Sequence, residues 1–220
     1  MTNNNSKMKM IPASFLEKAM SYPAYRQMTD ERFAQGKTTG ENHSEAMLQY
    51  TKISIARMAR LDKTARLLPE ALAIVAEIDR PMTWLALTEA WCGDAGQIIP
   101  VLAKLAGQNP NISLRLLLRD ENLELMDAFL TNGGRSIPKI ILLDSESRRV
   151  LGDWGPRPEE VQQMLLQRRP AIAELNDEAE RKAQMQELVK DVQKWYARDK
   201  TRSIQLEFAA ALSAAMALQE

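Results

Sequence analysis

A buried strand that turns sharply into a helix, within residues 83–107, constrains the fold more than any other stretch of this chain. Residues 84–89 form a largely apolar run that predicts a strand, and residues 90–95 form the turn. Cys92, the single cysteine of the protein, lies in that turn. Unpaired backbone N–H groups and the positive end of a helix dipole both favour a thiolate. The position therefore predicts a lowered thiol pKa and a site for chemistry.

The elements that follow alternate between helix and strand. A helix after Cys92 leads to a second apolar strand at residues 112–118, a short helix at 123–130 and a strand at 139–144. Residues 148–154 pair with that strand as a hairpin, and a helix at 159–169 ends at Pro170. This order predicts an α/β fold with a mixed sheet and helices on both of its faces.

Helical extensions are expected on both sides of this core. Residues 1–43 are interpreted as a loose arm with one short helix starting at Ser14, and apolar spacing predicts a helix over about 45–65. Pro69 suits the first turn of the next helix. After Pro170 we expect helices over 172–199 and about 204–218. The predicted units are thus an N-terminal extension, a central domain and a C-terminal extension, at residues 1–65, 66–170 and 171–220.

Composition excludes several classes of function. The chain has 29 Lys and Arg against 29 Asp and Glu, which argues against nucleic acid as a partner. No apolar run approaches the length of a membrane span, and the N-terminal residues lack the apolar core of a signal peptide. One cysteine and one histidine, His43, argue against a metal site, and nothing suggests a cofactor. We expect a cytoplasmic protein, because a lone free thiol suits a reducing compartment.

Three motifs resemble the thioredoxin superfamily. Trp91-Cys92-Gly93 is similar to the start of the family's active site, Pro100 matches the proline that kinks its helix, and Ser136-Ile137-Pro138 is similar to its cis-proline loop. The sequence Trp-Cys-Gly-Asp-Ala with helical extensions also resembles a subgroup of bacterial thioredoxin family proteins. The resemblance implies a thioredoxin-like fold over about residues 66–170. It also implies that Cys92 is the nucleophile and that the Ile137 backbone lies beside it.

Two departures from the family pattern bear on activity. The family's second cysteine falls at Ala95, and its buried acidic proton relay falls at Ala86. Without a second cysteine in the motif, a mixed disulfide on Cys92 cannot be resolved within the chain. Ordinary dithiol reduction is therefore not expected.

The candidate site consists of Cys92 as the catalytic residue and its predicted neighbours. Asp94 is expected to start the helix and to oppose a nearby thiolate. Arg135 either stabilises a thiolate or an anionic thiol such as glutathione, or lies in solvent. His43 is interpreted as a loop residue. The expected lining residues are Trp91, Gly93, Asp94, Ala95, Arg135, Ile137 and Pro138.

The sequence leaves three hypotheses open, and we prefer the first over the second. In the first, Cys92 is the thiol of a monothiol redox protein that needs an external resolving thiol, from a protein or a small thiol. In the second, the chain is a redox-inert binding or homodimerisation module that uses its helical extensions. In the third, oxidation of Cys92 changes how those extensions pack.

Overall fold

A four-stranded mixed sheet forms the centre of the computed structural model, which describes residues 9–218. The strands are β1 (Met82–Thr88), β2 (Ile112–Leu118), β3 (Lys139–Asp144) and β4 (Val150–Trp154). The helices are α1 (Ala13–Lys18), α2 (Tyr22–Ala34), α3 (Glu45–Thr64), α4 (Pro69–Ala76), α5 (Ala95–Ala106), α6 (Leu123–Asp127), α7 (Glu159–Ala173), α8 (Glu178–Asp199) and α9 (Arg202–Met216).

The strand order is β2-β1-β3-β4, so the strand that precedes Cys92 is internal. It runs parallel to β2 and antiparallel to β3, and each of its residues is buried. A strand covered on both faces is expected to be nearly all apolar, as this one is. Trp84 packs edge-on against Phe208 of α9, with ring centroids 4.8 Å apart. The predicted mixed sheet with flanking helices and helical extensions is confirmed.

The N-terminal arm is not loose over its described part, and this corrects the sequence interpretation. Ile11 is fully buried and Tyr25 nearly so. Met20 exchanges two backbone hydrogen bonds with Leu116, at 2.8 and 2.9 Å, and so covers the edge of β2. The side chain of Ser21 accepts a hydrogen bond from the Ala24 amide and caps α2, a helix that was not predicted. The rest of the predicted arm, residues 1–8, lies outside the described residues.

Helix α7 is longer than predicted, and helix α8 begins later. Helix α7 continues through Pro170 and ends at Ala173, and α8 starts at Glu178 rather than near residue 172. Pro170 lies in the last turn, where a missing N–H removes one helical hydrogen bond without ending the helix. The Asp177 side chain accepts a hydrogen bond from the Glu180 amide at 2.8 Å, which fixes the start of α8.

Helix α3 packs closely on the first turn of α5. A Cβ atom at Gly96 would lie 2.8 Å from Ser54 Oγ and 3.2 Å from Ser54 Cα. Glycine is therefore required for α3 to approach the turn that carries Cys92. Among the helices of residues 9–218, none combines the length and apolar character that a bilayer-spanning helix requires.

We predict that Gly96→Ala lowers the free energy of unfolding by about 1–3 kcal/mol, because the added methyl group forces α3 away from α5. Urea denaturation measures the change. Gly107→Ala is the matched control, since its Cβ would have no neighbour closer than 3.5 Å. It should change stability by about 0.5 kcal/mol or less. Equal effects of the two substitutions would contradict the close packing of α3.

Candidate functional site

Cys92 lies in the turn between β1 and α5, with its sulfur held by backbone groups. The Ala95 amide donates to Sγ at 3.4 Å, and the thiol donates to the Ile137 carbonyl at 3.3 Å. The Ile137–Pro138 peptide bond is cis. The structure thus brings Cys92, Ala95 and the Ile137–Pro138 loop together.

The thiol is buried, and its pKa moves in the direction opposite to the one expected from the helix position. Cys92 is 7% exposed. Burial, with the Asp94 carboxylate adding to it, raises the pKa of the Cys92 thiol to about 12. The backbone amides of Ala95 and Asp94 and the charge of Arg157 lower it by less. The expectation of a lowered pKa is therefore wrong, because desolvation of the sulfur outweighs the field of the helix terminus.

Asp94 joins three segments of the chain. It precedes the first residue of α5, but its side chain makes no capping hydrogen bond there. Instead, Oδ2 accepts from Arg157 Nε at 2.8 Å, and Oδ1 accepts from the Tyr196 hydroxyl at 2.8 Å. Arg157 precedes α7 and Tyr196 belongs to α8. Hydrogen bonds to the Asp94 carboxylate therefore hold the C-terminal extension against the Cys92 turn.

Helix α3 covers the same turn from the N-terminal side. Ser54 Oγ donates to the Cys92 carbonyl at 3.4 Å, and Arg57 Nη1 donates to the Gly93 carbonyl at 3.3 Å. A Cβ atom at Gly93 would lie 2.9 Å from Arg57 Nη1, so a side chain there would displace the guanidinium. Ser54 and Arg57 were not predicted as site residues, because apolar spacing marks only the apolar residues of a buried helix face.

Two predicted lining residues have other partners. The Arg119 guanidinium lies over the Trp91 ring, 5.0 Å from its centroid. The Arg135 side chain makes two hydrogen bonds to the Asp127 carboxylate, at 2.6 and 2.8 Å, on the exposed surface. The Arg135 guanidinium therefore forms an ion pair with Asp127 and does not stabilise the Cys92 sulfur. His43 is an exposed loop residue that accepts a hydrogen bond from the Thr38 amide.

A buried carboxyl group lies near the site, although not at the position that the family pattern indicated. Ala86, at the relay position, is fully buried in the core. Glu89 is also fully buried; its Oε1 accepts from the Asp120 amide at 2.8 Å, and burial raises the pKa of its carboxyl group. Glu89 was predicted as the last residue of the strand before Cys92, with no role in the site.

A pocket of about 300 Å³ opens above the cysteine. Its walls come from α3, the turn at residues 91–94, α7 and α8, and Cys92 is part of its lining. Both extensions therefore contribute walls to a pocket at the candidate site. Among residues 9–218, no group of three or more His, Cys, Asp or Glu side chains is arranged to hold a metal ion.

We predict that Tyr196→Phe lowers the free energy of unfolding by about 1.5–3 kcal/mol, since it removes a hydrogen bond to a mostly buried carboxylate. Urea denaturation measures the loss. Tyr50→Phe is the control, because Tyr50 is 54% exposed, and its effect should stay within about 0.5 kcal/mol. A loss of stability no larger than that of the control would contradict the stabilising hydrogen bond between Tyr196 and Asp94.

The raised pKa of Cys92 predicts a loss of stability at alkaline pH. Above about pH 8.5 the unfolded thiol ionises, whereas the folded thiol keeps its proton up to about pH 12. The folded state then binds more protons, so its stability falls with rising pH by up to about 1.4 kcal/mol per pH unit. Urea denaturation at about pH 7.5 and about pH 10 should show wild type losing about 2 kcal/mol relative to Cys92→Ala. A stability difference independent of pH would contradict the raised pKa.

The comparisons with known proteins agree with this architecture. A crystal structure of a protein of unknown function from Pseudomonas aeruginosa matches with a TM-score of 0.56 and 17% identity, over 92% of this chain and 97% of that one. A crystal structure of an HIV epitope scaffold matches with a TM-score of 0.54 and 15% identity, over 91% of this chain and 96% of that one. At these identities the similarity shows the fold alone. A search of curated proteins gave no match.

A match to a protein-family model assigns this chain to a family. The model described as Thioredoxin matches residues 40–175, which include α3, the sheet, the Cys92 turn and α7. The thioredoxin-like fold expected from the sequence motifs is thereby confirmed. With the match spanning more than half of the sequence, the chain belongs to the thioredoxin family.

Proposed function

We propose that this protein is a thioredoxin-fold binding module, with its binding pocket above a cysteine whose thiol is unreactive at neutral pH. The observation that carries the proposal is the burial of Cys92 beneath helices from both extensions, with its pKa raised to about 12. This is the second of the three sequence hypotheses, and we propose it in place of the first, which the sequence alone favoured.

The protonation state of Cys92 argues against thiol exchange. The thiolate is the attacking species in such reactions. With a pKa of about 12, the thiolate fraction at neutral pH is on the order of 10⁻⁵. Because Ala95 and Ala86 replace the second cysteine and the relay acid, the chain also lacks residues that would complete the reaction.

The extensions support a binding function directly. Arg57 of α3 donates a hydrogen bond to the Gly93 carbonyl, and the Tyr196 hydroxyl of α8 donates one to the Asp94 carboxylate. These contacts place apolar side chains of both helices around one pocket. In this proposal the module acts in the cytoplasm, where its single thiol stays reduced. Homodimerisation through the extensions, and membership of the bacterial single-cysteine subgroup, stay predictions.

A second candidate, the monothiol redox protein, is favoured by one observation. Cys92 lines the pocket and lies 3.3 Å from the Ile137 carbonyl, beside Pro138. In that reaction the Cys92 thiolate attacks one sulfur of a disulfide, and the other sulfur leaves as a thiolate. An external thiol such as glutathione then attacks the mixed disulfide and releases Cys92. The reaction requires the helices to open and the sulfur to ionise.

The rate of Cys92 alkylation by iodoacetamide as a function of pH distinguishes the two candidates. For the folded protein we predict a slow rate without an inflection between about pH 6 and about pH 10, because the thiol stays protonated. The same protein unfolded in urea is the control, and its rate should follow an ordinary thiol pKa of about 8.5.

An inflection below about pH 8 in the folded protein would overturn the proposal. If glutathione-dependent reduction of a small disulfide accompanied it and were lost in Cys92→Ser, the monothiol redox function would replace the binding function.

A further inference from the structure

The pocket above Cys92 combines apolar walls with two arginine side chains. Its volume of about 300 Å³ falls at the lower end of the range typical of small-molecule sites. Apolar side chains from three helices line it, namely Ile53 from α3, Leu165 from α7, and Met185, Val189 and Val192 from α8. Such walls suit a narrow apolar group.

The mouth of the pocket is also apolar. Tyr50, Ile53 and Val189 line the pocket and are 54%, 42% and 43% exposed. Large apolar side chains that cluster on a surface around a concavity are typical of binding sites. An occupant that crosses this mouth would remove their surface from water.

The charged groups of the pocket favour an anion. Arg57 and Arg169 both line it, and no described carboxylate lies within ion-pairing distance of either guanidinium. Arg57 is partly buried and donates to the Gly93 carbonyl, so its charge is only partly compensated. The one acidic residue of the lining, Asp94, already accepts from Arg157 and Tyr196. The lining therefore carries two arginine charges against one carboxylate that already has hydrogen-bond partners.

We infer that the pocket binds an amphipathic carboxylate, with its apolar tail between α3 and α8 and its carboxylate on Arg57 and Arg169. An arginine fork matches the two oxygens of a carboxylate, and the partly buried Arg57 guanidinium gains more from an anion than one in water does. The apolar walls bind the tail by removing it from water. The inference rests on the proposed binding function and specifies its ligand class.

Calorimetric titration of the full chain with decanoate, below the concentration at which it forms micelles, tests this inference. Decyltrimethylammonium has the same tail with the opposite charge, and acetate has the carboxylate without the tail. Decanoate should bind at least about tenfold more tightly than either, because it alone pairs with the arginines and also fills the apolar walls of the pocket. Equal affinity for decanoate and decyltrimethylammonium would overturn the assignment of an anion.

Substitutions then locate the binding site. Arg57→Gln and Arg169→Gln should each weaken decanoate binding about tenfold or more. The control is Arg60→Gln, on the same helix as Arg57 but outside the pocket lining, and it should leave the affinity unchanged. Val189→Glu places a carboxylate at an exposed position of the mouth and should also weaken binding, without burying a charge. Unchanged affinity in both arginine variants and in Val189→Glu would overturn the site.

The two proposals fail in different ways. A protein that does not bind decanoate, but whose Cys92 resists alkylation, refutes the ligand class and leaves the binding function standing. A protein whose Cys92 titrates below about pH 8 and supports thiol-dependent turnover refutes the binding function itself.

Discussion

The Asp94 carboxylate is the group on which the arrangement of the site depends. Its two oxygens accept hydrogen bonds from Arg157, which precedes α7, and from Tyr196 in α8. A carboxylate that is largely removed from water is stable only when its oxygens are bonded. The same residue therefore sets the position of the Cys92 turn, the entry to α7 and the contact of α8. It also raises the pKa of the cysteine two residues before it.

Burial of the Cys92 turn changes the chemistry that is available to the thiol at this position of the thioredoxin fold. The field of a helix N-terminus is worth about 0.3–1 kcal/mol at an exposed position, whereas full burial can shift a pKa by about 3–5 units. The backbone amides still act on the sulfur here, but its desolvation by burial outweighs them. The sheet has the thioredoxin-like fold, and the Ile137–Pro138 bond is cis, as the resemblance of the sequence to thioredoxins implies. The helices above them convert the site into the wall of a pocket.

Local sequence patterns predict the framework of this fold well. The apolar runs that became β1 and β3 are buried along nearly their whole length, as such runs predict. The turn at Cys92 follows from the change between strand and helix periodicity. Contacts between distant segments do not leave such a pattern. Tyr196 lies 102 residues from Asp94, and one buried hydroxyl in a charged helix gives no periodic signal. Helix α2 was missed because its buried face includes the polar Thr29, although Ser21 and Pro23 mark its start.

The most direct test of the account is the ionisation of the single cysteine in the folded protein. With only one cysteine in the chain, ¹³Cβ labelling gives one resonance, and its chemical shift as a function of pH separates thiol from thiolate. The account predicts a constant thiol shift up to about pH 10, because burial and Asp94 hold the pKa at about 12. A titration with a midpoint below about pH 8 would contradict it and restore Cys92 as a reactive group.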